Sequence, residues 1–198
     1  MEITAEHIKK LREATGAGIL DSREALRQSG GDFDKAVTFL REKGLAKAGK
    51  KADRSARDGV IGSYLHHNGR VGVLVEVNTE TDFVARTDDF NGLAQNLALH
   101  IAMANPRYLK PEDVPADVLE AERAIYRKEA EVTGKPGHVI DKIVAGKIDQ
   151  YYGEVCLVRQ LYVKDDKVRI DDLIAQAIAK LGENIVVRRF IRFEIGGE

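Results

Sequence analysis

Few side chains in this sequence stand in an arrangement that does chemistry. Thr81-Asp82-Phe83-Val84 sets a carboxylate beside an aromatic ring, between a β-rich run and a helical one. Such a corner is either a turn residue followed by a core anchor or, with both side chains exposed, a projection suited to a partner's cleft. Gly16-Ala17-Gly18 begins like a dinucleotide-binding loop, but Asp21 stands where the third glycine belongs. No strand precedes it, so it reads as a turn between helices. No Gly-Lys-Ser/Thr phosphate loop occurs. His66 and His67 are neighbours on a strand-like run, which directs them to opposite faces and away from a shared metal. His100 and His138 are isolated. Cys156, in Val155-Cys156-Leu157, reads as a buried small hydrophobe, and Tyr151-Tyr152 as packing. No catalytic residue, metal ligand or cofactor is assigned.

The elements that hold these residues belong to a chain of 198 residues, long enough for one large domain or two small ones. It is 43% hydrophobic and 32% charged, the balance of a soluble globular protein. A net charge of −1 argues against coating nucleic acid by bulk charge. The single cysteine precludes an intrachain disulfide and fits a reducing compartment. No apolar run reaches the roughly 20 residues of a membrane span. Met1-Glu2-Ile3-Thr4-Ala5-Glu6 lacks the basic head and apolar core of a signal peptide. The expectation is a cytoplasmic protein. The charge is segregated: Arg41 to Arg57 carries +5, leaving −6 elsewhere. That basic segment reads as a solvated linker or as a docking strip for an acidic protein surface or RNA, and it lacks the interleaved aromatics of single-strand binders.

Three short helices fill residues 1–44. Thr4 is the first N-cap, with Ile3 and Ile8 as a hydrophobic staple and Gly16 as the stop. A capping box of Asp21 and Glu24 opens the second. Asp32 opens the third, with Phe33, Ala36, Val37 and Leu40 on one face and Gly44 as the stop. Residues 45–58 form the basic linker. In 59–198, Val60–His67 and Arg70–Val77 flank Asn68-Gly69, the signature of a type I′ hairpin. Helices are expected from about Asp88 to before Pro106, from Ala116 to Val132, from Gly137 to Gln150, and from Asp171 or Asp172 to Gly182. A strand runs from Ile185 to Ile195. The fold class is α+β: a three-helix bundle, a linker, and a core with a small antiparallel sheet packed against helices.

Two stretches and the close of the chain carry a family resemblance. Leu11-Arg12-Glu13-Ala14-Thr15-Gly16-Ala17-Gly18-Ile19-Leu20-Asp21 with Ala25-Leu26, and Glu76-Val77-Asn78-Thr79-Glu80-Thr81-Asp82-Phe83-Val84-Ala85-Arg86, resemble the signatures of elongation factor Ts. Gly182-Glu183-Asn184-Ile185-Val186-Val187-Arg188-Arg189-Phe190 extends the resemblance over nearly the whole chain. The chain is similar to short bacterial members with one copy of the core module. The resemblance implies a guanine nucleotide exchange factor for elongation factor Tu, without covalent catalysis, that binds the GDP-bound and nucleotide-free partner. It implies that residues 1–44 are similar to ubiquitin-associated domains and dock on the GTPase domain through Arg12, Ile19 and Leu20. It implies that Thr81, Asp82, Phe83 and Val84 form the loop that disturbs the partner's magnesium site, with Asp82 and Phe83 the intruding pair. Neither a membrane nor direct nucleic-acid contact is implied.

Some positions depart from the family pattern. Arg23-Glu24 replaces two basic residues, and Thr79 stands where Cys or Ser is common. Ile191 and its neighbours carry no thiol, so a disulfide-linked dimer through the final strand is excluded, while a non-covalent twofold dimer remains open. Apart from the resemblance, an adaptor that tethers protein or RNA through its bundle and basic segment is the second reading, and an enzyme the third.

Overall fold

Thr4 starts the first helix as a reciprocal cap. In the computed structural model, which describes residues 3–197, its hydroxyl accepts from the His7 amide at 3.3 Å and the His7 ring accepts from the Thr4 amide. The elements that follow are α1 (Ala5–Thr15), α2 (Ile19–Gln28), α3 (Phe33–Gly49), β1 (Asp58–Leu65), β2 (Val71–Thr79) and the single helical turn α4 (Asp82–Ala85). Next come α5 (Asp88–Ala104), α6 (Ala116–Glu131), α7 (Gly137–Val155), β3 (Leu161–Tyr162), β4 (Asp165–Arg169), α8 (Ile170–Leu181) and β5 (Ile185–Glu194). The fold is mixed α+β. One compact unit contains the described residues up to Leu99 and those from Asp171 on; residues 100–170 form the other.

In the first unit, α1 to α3 close around Leu11, Ala25, Leu26 and Ala36, with the staple pair Ile3 and Ile8 packed against them. Gly16 ends α1 at φ +67°, a left-handed conformation that glycine adopts without Cβ strain. The second helix departs from the sequence expectation. It begins at Ile19, and Asp21 lies inside it rather than capping it. The Asp21 carboxylate instead pairs with Lys43 at 2.8 Å and Lys47 at 2.9 Å on α3. Hydrogen bonds from those two lysines hold its carboxyl below the usual carboxylate range. Gly44 does not stop α3 either; the helix runs on to Gly49. Gly44 is buried where α3 meets α8, and a Cβ placed on it would lie 3.9 Å from the Ala175 carbonyl oxygen. Arg41 pairs with Asp172 on α8 beside that contact. The turn is thus held helical by tertiary packing where a left-handed glycine was expected.

The sheet has the order β1-β2-β5, antiparallel throughout, with a bulge in the β2–β5 pairing at Glu76/Val77. Alternation gives it two faces. Val73, Val75 and Val77 are buried, while Leu74 between them is exposed. Opposite Val75, Gly62 lets β1 approach α5: a Cβ there would fall 2.6 Å from the Ala94 carbonyl oxygen, closer than any real Cβ contact. Only glycine allows that approach of strand and helix.

The β1–β2 connection is not the expected two-residue type I′ turn. His66 accepts from the Gly69 amide at 2.8 Å and donates to Val71 at 2.9 Å, making a loop of His67 to Arg70. Type I′ needs positive φ at both central residues. Gly69 has it at +68°, but Asn68 does not, since Asn105 is the one non-glycine with positive φ among the described residues. The two histidines therefore leave the strand, and their rings lie 4.2 Å apart rather than on opposite faces.

In the second unit, α6 and α7 enclose two apolar clusters, one of Ala130, Ile140, Val144 and Ile148, the other of Val114, Tyr151, Val155 and Cys156. Tyr151 packs as expected. Burial pushes the Cys156 thiol up to about 11, so it stays protonated and inert. His100 is not isolated but is a satisfied buried histidine. Its Nδ1 accepts from the Val163 amide at 3.3 Å, which leaves Nε2 to donate to Gln160 at 3.0 Å. Burial lowers its pKa, though the Gln160 bond opposes this, so it is neutral at physiological pH. The hairpin β3–β4 has no counterpart among the strands read from the sequence. No helix among the described residues is long and apolar enough to cross a membrane.

Candidate functional site

The Thr81–Val84 segment is a corner in which each residue has a separate task. β2 ends at Thr79, and Thr81 takes an extended conformation and caps α4 through its hydroxyl, which accepts from the Val84 amide at 3.4 Å. Val84 and Ala85 are buried and anchor the turn. Beyond them, the Thr87 hydroxyl donates to the Val84 carbonyl at 2.8 Å, and the Asn91 amide group donates to Ala85 and Thr87 carbonyls. These bonds fasten α4 to the start of α5. The two residues between cap and anchor face outward. Phe83 is 79% exposed. Asp82 is exposed too, and its carboxylate meets Arg86 at 2.7 Å one turn on. An exposed pair such as this gains well under 1 kcal/mol. The carboxylate can therefore exchange Arg86 for another partner at little cost.

The corner is also clasped from across the sheet. Glu183, in the turn before β5, accepts the Thr79 hydroxyl at 2.8 Å, the Thr81 amide at 3.0 Å and the Thr81 hydroxyl at 2.7 Å. Burial alone would raise its carboxyl, but the bonds from Thr81 and Thr79 outweigh it and hold the group below the usual carboxylate range. In return the Asn184 amide donates to Glu80 at 2.7 Å, and the Asn184 side chain donates to the Arg54 carbonyl at 2.8 Å. Neither Glu183 nor Asn184 was singled out for a role from the sequence. The signal available was topological: β2 and β5 end their pairing at Thr79↔Ile185, so residues 80–81 and 183–184 must face each other.

A second exposed group sits at the start of α2. Gly18 occupies the N-cap without a side-chain bond, and Ile19 and Leu20 follow at 57% and 78% exposed. Arg12, in the last turn of α1, is also exposed. Both aliphatic side chains stand in the first turn of α2 and face solvent.

The basic segment is largely engaged within the molecule. Arg41 pairs with Asp172, Lys43 and Lys47 with Asp21, Arg54 with Glu80 at 3.5 Å, and the Lys51 ammonium with the Gly182 carbonyl. Among the described residues no group of His, Cys, Asp and Glu is arranged to hold a metal ion.

A family model described as Elongation factor TS matches residues 32–197 of this chain. Proteins named Elongation factor Ts resemble it over nearly its full length. That of Fervidobacterium nodosum is 55% identical over 196 residues, covering 99% of this chain and 100% of the relative. That of Thermotoga petrophila is 55% identical, covering 99% and 98%, and that of Geobacter metallireducens 50% identical, covering 99% and 91%. The chain is thereby a translation elongation factor, a component of protein biosynthesis. It belongs to the elongation factor Ts family.

Proposed function

We propose that this chain is the guanine nucleotide exchange factor of elongation factor Tu, acting on the GDP-bound partner and releasing its nucleotide without covalent chemistry. One observation carries the reading: Phe83 stands exposed on a turn whose cap and anchors are all bonded. Leaving an aromatic side chain in water forgoes about 1.5–3 kcal/mol of burial. A rigid mount for such a ring is what insertion into a partner requires.

The mechanism follows from linkage. A factor that bound nucleotide-loaded and empty partner equally would shift nothing. It must prefer the empty state, and the nucleotide then weakens the factor by the same ratio. Magnesium and the phosphates are the strongest charges in a nucleotide site. Phe83 acts as the wedge that displaces the elements holding them, and Asp82 takes up polar groups beside the ring. Thr81 and Val84 hold that pair at the corner. Arg12, Ile19 and Leu20 on the bundle, residues 1–44, supply docking affinity on the GTPase domain; residues 45–58 join it to the core module, 59–198. The same reading puts the protein in the cytoplasm with the translation machinery and requires no direct nucleic-acid contact. Loss of a fluorescent GDP from elongation factor Tu, followed with and without this chain, tests it.

A second copy of the chain is the further partner. The open face of the sheet carries exposed Ile61 and Leu65 on β1, Leu74 on β2, and Ile191 and Phe193 on β5. The register places Leu74 beside Ile191, and Phe193 across Gly72 from Leu65. A contiguous apolar face on a sheet calls for a cover. A twofold dimer would supply for this short member the half that longer members carry in one chain. Cys156 is buried and lies outside this face, so such a dimer is non-covalent. Light scattering at micromolar concentration is expected to give twice the chain mass. A monomer with full exchange activity removes the dimer.

A further inference from the structure

We propose that Glu183 is a positioning residue for exchange: it fixes the direction in which Asp82 and Phe83 project without itself meeting the partner. This rests on the exchange reading above and names the part of the molecule that makes its wedge rigid.

The geometry is specific. Both carboxylate oxygens are engaged, Oε1 by the Thr81 hydroxyl and Oε2 by the Thr79 hydroxyl and the Thr81 amide. Thr81 is the N-cap of α4, so the group that Glu183 grips is the one that starts the turn bearing Phe83. The Thr81 hydroxyl donates to Glu183 while accepting from the Val84 amide, which uses its proton and one lone pair in fixed directions. That hydroxyl sets the cap. With Glu183 gone, it is free to rotate, and the cap bond at 3.4 Å is long enough to be lost readily. A helix of four residues has no intrinsic persistence to fall back on. The turn would then sample several orientations, and a misdirected wedge loses rate rather than affinity.

Position along the chain strengthens the case. Glu183 lies 102 residues from Thr81, so the clasp adds a long-range constraint at the end of the β2–β5 ladder, where pairing stops at Thr79↔Ile185. The reciprocal bond from the Asn184 amide to Glu80 closes the other side of the same corner. Charge-assisted bonds of this kind are stronger than neutral ones. Glu183 is half-buried and both its oxygens are taken up by the two threonines, which makes it a support and not a contact.

Two substitutions separate positioning from bulk stability. Glu183→Ala removes all three bonds. Glu183→Gln keeps them: its oxygen accepts from Thr79 and the Thr81 amide, and its amide group donates to the Thr81 hydroxyl with the polarity of that one bond reversed. Titrating each variant against GDP-loaded elongation factor Tu gives a saturated release rate and a midpoint. Glu183→Ala is expected to slow the saturated rate about tenfold with the midpoint within about twofold of the parent, and Glu183→Gln to recover to within about threefold. Amide hydrogen exchange on the isolated chain supplies a readout independent of the partner. The Ala85 and Arg86 amides, bonded to Thr81 and Asp82 carbonyls, should exchange about tenfold faster in Glu183→Ala, with β2 amides unchanged. Should Glu183→Ala fail to fold, Thr79→Val removes a single donor with little change in volume and is expected to slow the saturated rate by about threefold. Parent-like saturated rate and parent-like exchange in Glu183→Ala, or equal losses in Ala and Gln, overturn the proposal. If the parent chain itself fails to speed GDP release, the exchange reading falls, while the amide measurement still decides whether Glu183 orders the corner.

Discussion

Phe83→Ala is expected to slow the saturated release of GDP from elongation factor Tu by about tenfold or more while leaving the chain as stable as before. Tenfold corresponds to ~1.4 kcal/mol at the barrier. That is within what an aromatic ring loses when it cannot bury its surface in a partner. Stability should hold because the ring is 79% exposed, and the buried residues that follow it, Val84, Ala85 and Phe90, are left unchanged. Surface replacements away from special features stay within about 0.5 kcal/mol. Alanine is also the better helix former on α4. Stopped-flow mixing with fluorescent GDP on the partner, at saturating factor, reads the rate, and a thermal melt reads the fold. An unchanged saturated rate would remove Phe83 from the mechanism.

Leu20→Asp should act in the opposite quantity. Leu20 is 78% exposed in the first turn of α2, outside the cluster of Leu11, Ala25, Leu26 and Ala36. A carboxylate there faces the positive end of the helix, so folding is not penalised. Burying that charge against an apolar partner surface is costly, and the leucine contact is lost as well. The midpoint of the titration is expected to rise about tenfold or more, and the saturated rate to change much less, because the wedge is intact. A saturation curve with the parent midpoint would show that the start of α2 does not dock.

Which of these features the sequence alone shows depends on the range of the interactions. Local ones were legible. The Thr4 cap, the staple of Ile3 and Ile8, the left-handed Gly16, the window of α5 before Pro106 and the alternation of β2 follow from neighbours within a turn or a pleat. Competition from distant residues was not. Asp21 looked like a cap because Glu24 stands three residues on, yet Lys43 and Lys47 offered it charge-assisted bonds inside the helix. Gly44 had the residue type of a stop, and the packing of α3 on α8 overrode it. Asn68-Gly69 had the composition of a two-residue turn, and the loop settled for a longer one. β3, two residues long, is too short to show a period.

The candidate site divides the same way. Pattern alone left Asp82 and Phe83 between a core anchor and an exposed projection, since a single aromatic has no period to reveal its face. The structure separates the two tasks, giving the anchor to Val84 and the exposure to Phe83. Glu183 was out of reach because nothing nearby in the sequence calls for it; only the antiparallel pairing of β2 with β5 brings it to Thr81.

The proposed function has this chain emptying the nucleotide site of elongation factor Tu. The most direct measurement mixes elongation factor Tu carrying fluorescent GDP with increasing amounts of the chain and excess unlabelled nucleotide. The expected release rate climbs with the concentration of the chain and saturates well above the spontaneous rate. A release rate that is the same with and without the chain, at concentrations where the two proteins are seen to bind, would contradict it.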